Sequence, residues 1–273
     1  MMEAVSPEQE IWVLDRPNPA GRPVEGHYLD MHFQSFVGAA PIVMRHGLTL
    51  GEAALWYKDL RKLSSCKLHV VGMNGYKMSE GPGFGWPDRS WVNPSPNIPR
   101  LSAARTYAGT VLIEGTQLSE GRGTTIPLEI FGAPKLNVTA ILKDMKTNAP
   151  EVFKGCVVRP AYYEPTFHKF KGELCAAVQI HVDGSFYRHE DFKPYRFVTL
   201  FFKSVRRIHA DFPIWRDPPY EYEKEKMPID ILSGNSKLRE WVDQSAPKVS
   251  EWMDSLKGDE TRWLAERKPF LMY

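Results

Sequence analysis

The sequence has few cysteines and no long apolar run. Its 273 residues include three cysteines, Cys66, Cys156 and Cys175, and none of them forms the C-x-x-C spacing of a zinc or redox site. We therefore expect buried free thiols rather than a metal site or a disulfide framework. The opening residues, MMEAVSPEQE, lack the apolar core of an export signal, and no segment is apolar for long enough to cross a bilayer. The chain as given is expected to be cytoplasmic; the alternative is a secreted or periplasmic protein whose true amino terminus precedes Met1.

A strong charge of either sign is also missing. The formal net charge is +2, and no segment forms a basic block of the kind that binds nucleic acid. The densest basic run, Lys203 to Arg207, falls on a predicted helix and is interpreted as a solvated face. The eight histidines show no H-E-x-x-H pairing, so a metal is not expected. No cofactor is expected either. These patterns exclude nucleic acid and membrane as the expected partners.

The hydrophobic periodicity of the first third predicts a small α/β unit. Residues 11–15, IWVLD, form a short apolar strand, and residues 16–26 form a proline-broken loop after it. Thr49 and Glu52 have the spacing of a capping box at the start of an amphipathic helix, and residues 67–73 give a second strand. A parallel pairing would put the loop after residue 15 at the carboxyl edge of the sheet, where α/β proteins bind ligands.

A second α/β unit is predicted after a long loop rich in Gly, Pro and Trp. Strands are expected at residues 110–115, within 128–133, and in the stretches GCVVRPAYYEP and ELCAAVQIHVD. Helices are expected at NVTAILKDMK and from Pro194 to Ala210, where Pro194 lies in the first turn. The remaining residues are expected to form two or three short helices, with Pro247 starting one of them. The fold class predicted from these patterns is α/β.

Several motifs, taken in order, resemble one known family. These are VLDRPNP, VEG, FVG, HGLTLGE, PSPN, EGTQLSEGRGT, PLEIFGAP, IDILSGN and a final R-x-x-F-L-x-Y. In this order they are similar to the NamZ-like exo-β-N-acetylmuramidases, and the resemblance runs from Ile11 to Tyr273. It implies a glycoside hydrolase that removes terminal N-acetylmuramic acid from peptidoglycan fragments.

The resemblance also implies a domain organisation. Members of the family have a larger Rossmann-like amino-terminal domain, with the substrate cleft between it and the carboxy-terminal domain. Residues 1–78 would then be the remaining carboxy-terminal part of that parallel-sheet domain, and residues 79–273 a mixed α/β carboxy-terminal domain. The family's catalytic glutamate would lie outside this chain. Three functions follow: an exo-β-N-acetylmuramidase, a non-catalytic muropeptide-binding or accessory module, or a regulatory or structural partner that completes another protein's sheet through IWVLD. The candidate partners are a muropeptide or amino-sugar substrate and a separate amino-terminal half.

The stretch EGTQLSEGRGTTIPLEIFGAP, residues 114–134, holds one group of candidate site residues. A glycosidase needs two carboxyl groups, and Glu114 and Glu120 are the candidates here. Arg122 is a candidate for binding the lactyl carboxylate of muramic acid, because a guanidinium binds a carboxylate through two hydrogen bonds. Thr116 and Ser119 complete the predicted substrate-binding residues of the stretch. The alternative is that Glu120 and Arg122 pair with each other and the glycines serve the turn. A phosphate-binding loop is excluded, because no G-x-x-x-x-G-K-[ST] spacing is present.

A second group of candidates lies earlier in the chain. Arg16 and Asn18 follow the first strand, and either is expected to contact substrate or to hold the proline turn. His46 is expected to donate a hydrogen bond to a sugar, to relay protons or to be structural. Asn97, with Trp86 and Trp91 near it, is predicted to bind a sugar, while packing is the alternative for the two tryptophans.

Overall fold

The computed structural model describes residues 2–4, 6, 8–76 and 90–273. The strands are β1 (Glu10–Leu14), β2 (Glu25–Tyr28), β3 (Val43–Arg45), β4 (Lys67–Val71), β5 (Ile130–Ala133), β6 (Val157–Tyr163) and β7 (Cys175–His181). The α-helices are α1 (Leu50–Leu60), α2 (Leu101–Thr110), α3 (Val138–Asn148), α4 (Pro194–Ile208), α5 (Pro228–Ser233), α6 (Lys237–Asp243) and α7 (Val249–Arg267). Short 3-10 helices lie at Met2–Ala4, Met31–Phe33, Val111–Gly115, Pro150–Phe153 and Lys268–Phe270. The predicted α/β fold class is confirmed.

The first unit is built on the parallel pair β1 and β4, in register from Glu10 with Lys67 to Leu14 with Val71. Helix α1 packs on this pair and begins with the predicted capping box, in which Thr49 and Glu52 satisfy each other's backbone N–H groups. Because the two strands are parallel, both end at the same edge of the sheet. The residues that follow β1 therefore lie at a carboxyl edge, as the sequence predicted.

A second, antiparallel pair, β2 and β3, joins this unit to the rest of the molecule. All four residues of β2 are buried, because helices α4 and α7 pack against the strand. The prediction that residues 16–26 form one loop was therefore wrong at its end, since β2 begins at Glu25. The segment reads EGHY, and its buried polar residues Glu25 and His27 find their partners in Arg45 and Asp259, so no local hydrophobic pattern marks it as a strand.

The second unit is a three-stranded antiparallel sheet in the order β5-β7-β6. Helix α4 packs against α2 and α3, and most of its residues are buried in the main hydrophobic core. The boundary predicted between residues 78 and 79 falls in the range 77–89, outside the described residues. No helix in the described part of the chain combines the length and hydropathy needed to cross a membrane.

The strand predicted at residues 110–115 was wrong. Helix α2, which the sequence did not predict, ends at Thr110, and a 3-10 helix follows over Val111–Gly115. Small side chains explain the helix, because they let α2 lie close to α4: a Cβ atom on Gly109 would lie 2.0 Å from the carbonyl oxygen of Pro194. The apolar residues of the 3-10 helix are all buried. A continuous apolar run of this kind has no periodicity, and the sequence therefore does not distinguish a helix from a strand here.

Two further expectations need correction. Helix α7 spans 19 residues, so the end of the chain is not made only of short helices. Lys203 does not belong to a solvated face: it is 1% exposed, and its ammonium group donates to the carbonyl oxygens of Trp241, Val242 and Gln244. These are carbonyls at the end of α6 that lack a partner within the helix, which is why a buried cation is stable there.

Candidate functional site

A cavity of about 450 Å³ lies between the two units. Residues 16–20 and 44–46 form one wall, and residues of the segment 91–98 and of helix α2 form the other. Its volume falls within the range of roughly 300–1,000 Å³ that is usual for small-molecule sites. The cavity brings together three predicted site residues, Arg16, Asn18 and His46, which are far apart in sequence.

Arg16 is exposed at the cavity and forms no ion pair with any described residue. Its backbone N–H donates to Oδ1 of Asp15 over 2.9 Å, which fixes the main chain at this point. The other arginine of the lining, Arg45, is fully buried and donates to the carbonyl oxygens of Ala20 and Phe192, each over 2.7 Å. Among the described lining residues, Arg16 is therefore the cation that is left for a ligand.

Asn18 is committed to the local turn. Its Nδ2 donates to the carbonyl oxygen of Leu48 over 2.9 Å, and its Oδ1 accepts from the N–H of Ala20 over 2.8 Å. Both ends of the amide thus hold the proline loop against the segment before α1. The side chain borders the cavity and can offer a ligand one remaining N–H group.

His46 is neutral at physiological pH. Burial, reinforced by the charge of Arg267, lowers the pKa of His46 to about 4. Its Nδ1 accepts a hydrogen bond from the N–H of Leu48 over 3.1 Å, so the ring proton is on Nε2. The imidazole can therefore donate a hydrogen bond to a ligand through Nε2, but it does not carry a proton for general acid catalysis at pH 7.

The opposite wall is partly aromatic. Trp91 lines the cavity, and its Nε1 donates to the carbonyl oxygen of Ile98 over 3.0 Å. Tyr107 of α2 lines it as well and was not singled out from the sequence, because the helix itself was not predicted. Asn97 lies in the same segment without being a lining residue, and its backbone N–H donates to Oγ of Ser95. Trp86 falls outside the described residues.

Glu114, Glu120 and Arg122 form a separate ion-pair cluster. Arg122 donates from Nη2 to Glu114 over 2.6 Å and from Nε to Glu120 over 2.8 Å. Lys169 donates to the second oxygen of Glu120 over 3.0 Å, and the hydroxyl of Tyr220 donates to Glu114 over 3.0 Å. The pairing that the sequence offered as an alternative is present. Lys169 and Tyr220 carry no signal in the sequence, since they lie 49 and 106 residues from their partners.

The cluster favours the ionised form of Glu120. Burial alone would raise the pKa of Glu120, but the Lys169 ammonium group and other nearby donors hold that pKa below its ordinary value. Burial opposes the charge of Arg122 in the same way, and the carboxylates of Glu114 and Glu120 nevertheless raise the pKa of the guanidinium. A substrate carboxylate at Arg122 would have to compete with two carboxylates already in place.

Thr116 and Ser119 lie inside the fold. Thr116 is fully buried; its hydroxyl donates to the carbonyl oxygen of Ile113 over 2.7 Å and accepts from the N–H of Leu118 over 3.1 Å. The Ser119 hydroxyl, on a residue that is 2% exposed, accepts from the N–H of Gly121 over 3.2 Å. Both hydroxyls stabilise the turn of the stretch 114–134, and neither borders the cavity.

Tyr107, a lining residue of the cavity, interacts electrostatically with the ion-pair cluster. Burial raises the pKa of its phenol, the charge of Glu114 adds to this effect, and Arg122 opposes it. The cluster thus lies near the wall of the cavity to which Tyr107 belongs. Among the described lining residues the polar groups are guanidinium, imidazole, amide, phenol and indole, with no carboxylate.

Two family models cover nearly the whole chain. The model for the exo-β-N-acetylmuramidase NamZ carboxy-terminal domain matches residues 105–273, and the model for its amino-terminal domain matches residues 1–102. The chain belongs to the NamZ exo-β-N-acetylmuramidase family. The resemblance noted from its motifs is therefore confirmed.

A curated relative and two solved structures agree with this assignment. The NamZ-family chain is 33% identical over 264 residues to the peptidoglycan β-N-acetylmuramidase NamZ of Bacillus subtilis (strain 168). The match covers 96% of the chain and 59% of that relative. Two DUF1343 family proteins of Bacteroides fragilis NCTC 9343 are similar in structure, the first with a TM-score of 0.81 at 25% identity and the second with 0.71 at 26%. The matches cover 100% and 97% of the chain and 68% and 67% of those structures.

Proposed function

We propose that this chain binds the non-reducing-end N-acetylmuramic acid of peptidoglycan fragments in the cavity and serves the hydrolysis of its β-glycosidic bond. The observation that carries the proposal is that an exposed arginine without an ion pair to a described residue, Arg16, lines a cavity that Trp91 and Tyr107 line as well. The name of the Bacillus subtilis relative supports the same substrate class.

Arg16 would recognise the lactyl carboxylate of muramic acid. A guanidinium binds a carboxylate through two parallel charge-assisted hydrogen bonds, and N-acetylglucosamine has no such carboxylate. The neutral ring of His46 would donate from Nε2 to a hydroxyl or carbonyl oxygen of the sugar, while Trp91 and Tyr107 offer flat apolar faces to the ring. These contacts would select muramic acid over other amino sugars.

Arg122 is the competing candidate for the carboxylate. Arg122 would bind the substrate carboxylate only if the substrate displaced Glu114 or Glu120 from the guanidinium. The geometry favours Arg16, which has no carboxylate partner among the described residues.

Calorimetric titration of the chain with N-acetylmuramic acid and with N-acetylglucosamine tests the assignment. Arg16→Ala should weaken binding of the acidic sugar about tenfold or more, since a hydrogen bond to a charged group contributes roughly 1.5–3 kcal/mol. It should leave N-acetylglucosamine binding unchanged. Arg159→Ala is the matched control, because Arg159 is exposed on β6, outside the cavity, and donates to the side chains of Gln179 and His181. If Arg122→Ala weakens binding and Arg16→Ala does not, the carboxylate site is at Arg122.

A non-catalytic muropeptide-binding module is the second candidate. Glycoside hydrolysis normally requires two carboxyl groups, and the described lining residues supply none. The outer face of the β1–β4 sheet also leaves Trp12 61% and Leu14 71% exposed, a surface suited to a further α/β segment such as a separate amino-terminal half.

A chromogenic β-N-acetylmuramide distinguishes the two candidates. Release of the chromophore above the enzyme-free rate supports the hydrolase. Binding of N-acetylmuramic acid without release supports the accessory module. If release occurs, Glu114→Gln and Glu120→Gln would show whether either carboxylate takes part in it.

A further inference from the structure

The segment after α7 returns to the first sheet. Residues Leu271–Tyr273 follow the last 3-10 helix, and the hydroxyl of Tyr273 lies at the carboxyl edge of β1 and β4. This hydroxyl donates to Oδ2 of Asp15 over 3.0 Å and accepts from the N–H of Met73 over 2.8 Å. One phenol group therefore bridges the ends of both parallel strands.

Asp15 transmits this contact to the cavity. Its Oδ2 also accepts from the hydroxyl of Thr49, and its Oδ1 accepts from the N–H of Gly51 and the N–H of Arg16, at 2.8, 2.8 and 2.9 Å. The carboxylate thus has four donors, one of which is the backbone N–H of Arg16, a residue that lines the cavity. The Asp15 carboxylate therefore holds the main-chain N–H of Arg16.

The backbone of the same segment is anchored separately. Glu52, which is fully buried, accepts from the N–H of Met272 over 2.8 Å, and Nη2 of Arg22 donates to the carbonyl oxygen of Tyr273 over 3.2 Å. Arg22 and Glu52 are paired through both carboxylate oxygens. Because these contacts do not involve the phenol, removal of its hydroxyl should leave the segment in place.

The end of α7, just before this segment, holds the second cavity residue. Nη1 of Arg267 donates to the carbonyl oxygens of His46 and Arg22, each over 2.8 Å. Trp263 of α7 donates from Nε1 to the same carbonyl of His46 over 2.8 Å. One stretch of chain therefore contacts the backbone of His46 directly and that of Arg16 through Asp15.

We propose that residues Arg267–Tyr273 are a positioning element of the sugar site, in which the Tyr273 hydroxyl orients Arg16 through Asp15. The inference rests on the proposed function, since it assigns Arg16 to the substrate carboxylate. It gives a role to the final R-x-x-F-L-x-Y motif, none of whose residues lines the cavity.

Tyr273→Phe in the full chain tests the inference. The substitution removes the hydroxyl and keeps the ring. We expect binding of N-acetylmuramic acid to weaken about fivefold, binding of N-acetylglucosamine to stay within twofold, and the melting temperature to change little. Tyr222→Phe is the control, because Tyr222 is 80% exposed and no hydrogen bond links its hydroxyl to another described residue. Unchanged binding of both sugars would overturn the inference, as would an equal loss for both sugars with a lower melting temperature.

A readout without sugar separates this inference from the proposed function. In ¹⁵N NMR spectra of the ligand-free chain, Tyr273→Phe should shift the backbone and Nε–H signals of Arg16, and Tyr222→Phe should not. If the wild-type chain binds no N-acetylmuramic acid, the proposed function fails on its own. Arg16 signals that do not respond to Tyr273→Phe would refute the positioning role whichever way the sugar titration turns out.

Discussion

Glu52→Gln should destabilise the chain through a buried ion pair. The Glu52 side chain is fully buried, whereas that of Arg22 is 14% exposed, and the carboxylate also accepts from the N–H groups of Thr49 and Met272. Glutamine keeps an oxygen for the capping box, but its amide nitrogen would face the N–H of Met272 and Nη2 of Arg22, so the substitution removes the negative charge together with these acceptor contacts. Arg22 would then remain largely buried without its counter-ion.

The expected loss is about 3 kcal/mol of unfolding free energy. Breaking a buried ion pair by removing one partner costs roughly 3–5 kcal/mol, and the partial exposure of Arg22 favours the low end of that range. For a chain of this size each kcal/mol shifts the melting temperature by roughly 2–4 °C. Scanning calorimetry at pH 7 should therefore show a decrease of about 6–12 °C. Glu251→Gln is the control: Glu251 lies 3.6 Å from Lys248 in an exposed pair, and its loss should shift melting by only about 1–2 °C.

The pH dependence gives an independent check. Burial alone would raise the pKa of Glu52, but the Arg22 guanidinium and the backbone donors bring it below the ordinary value of 4.5. A depressed carboxyl pKa contributes stability above the pKa of the unfolded chain, and this stability is lost as the pH falls through the folded value. The difference in melting temperature between wild type and Glu52→Gln should thus narrow only below about pH 4.5. A difference under 2 °C at pH 7, or one that closes above pH 5, would refute the reasoning.

Two further predictions concern glycine packing and a buried histidine. Gly109→Ala should destabilise the chain strongly in urea denaturation, because its Cβ would lie 2.0 Å from the Pro194 carbonyl oxygen. Gly258 lies on an exposed face of α7, and a Cβ atom there would have no atom within 4 Å. Gly258→Ala should therefore stabilise the chain by about 1 kcal/mol. A change of stability in the same direction for both variants would refute the close packing of α2 on α4 at Gly109. His46 has a pKa lowered from 6.5 to about 4, so it contributes stability above pH 6.5 that is lost as the pH falls toward 4. His46→Gln should therefore show a smaller decrease in melting temperature across this window than wild type does, and an identical decrease would contradict the neutral imidazole.

Local sequence patterns predicted those parts of the fold whose determinants lie within one or two turns of chain. The capping box of Thr49 and Glu52 and the start of α4 at Pro194 are examples, since each depends on neighbours a few residues away. Helix α2 was not predicted because its small residues favour a helix only through close packing against α4, a contact that local patterns do not show. Strand β2 was missed for the same kind of reason, since α4 and α7 bury it.

The residue types of the site were also available in the sequence. Position after a parallel strand indicated Arg16 and Asn18, and the loop before α1 indicated His46. The motifs of the chain indicated its family, because they keep their order from Ile11 to Tyr273. The family and most helices and strands were thus predicted from the sequence itself.

Only the tertiary structure decided what each of these side chains is able to do. Arg122 is neutralised by Glu114 and Glu120, whereas Arg16 has no carboxylate partner among the described residues. His46 is neutral because it is buried near Arg267, a residue 221 positions away in the chain. Protonation state and free hydrogen-bonding capacity depend on burial and on partners that folding brings from distant parts of the chain. Local patterns in a single sequence show neither how deeply a side chain is buried nor which distant residues it contacts.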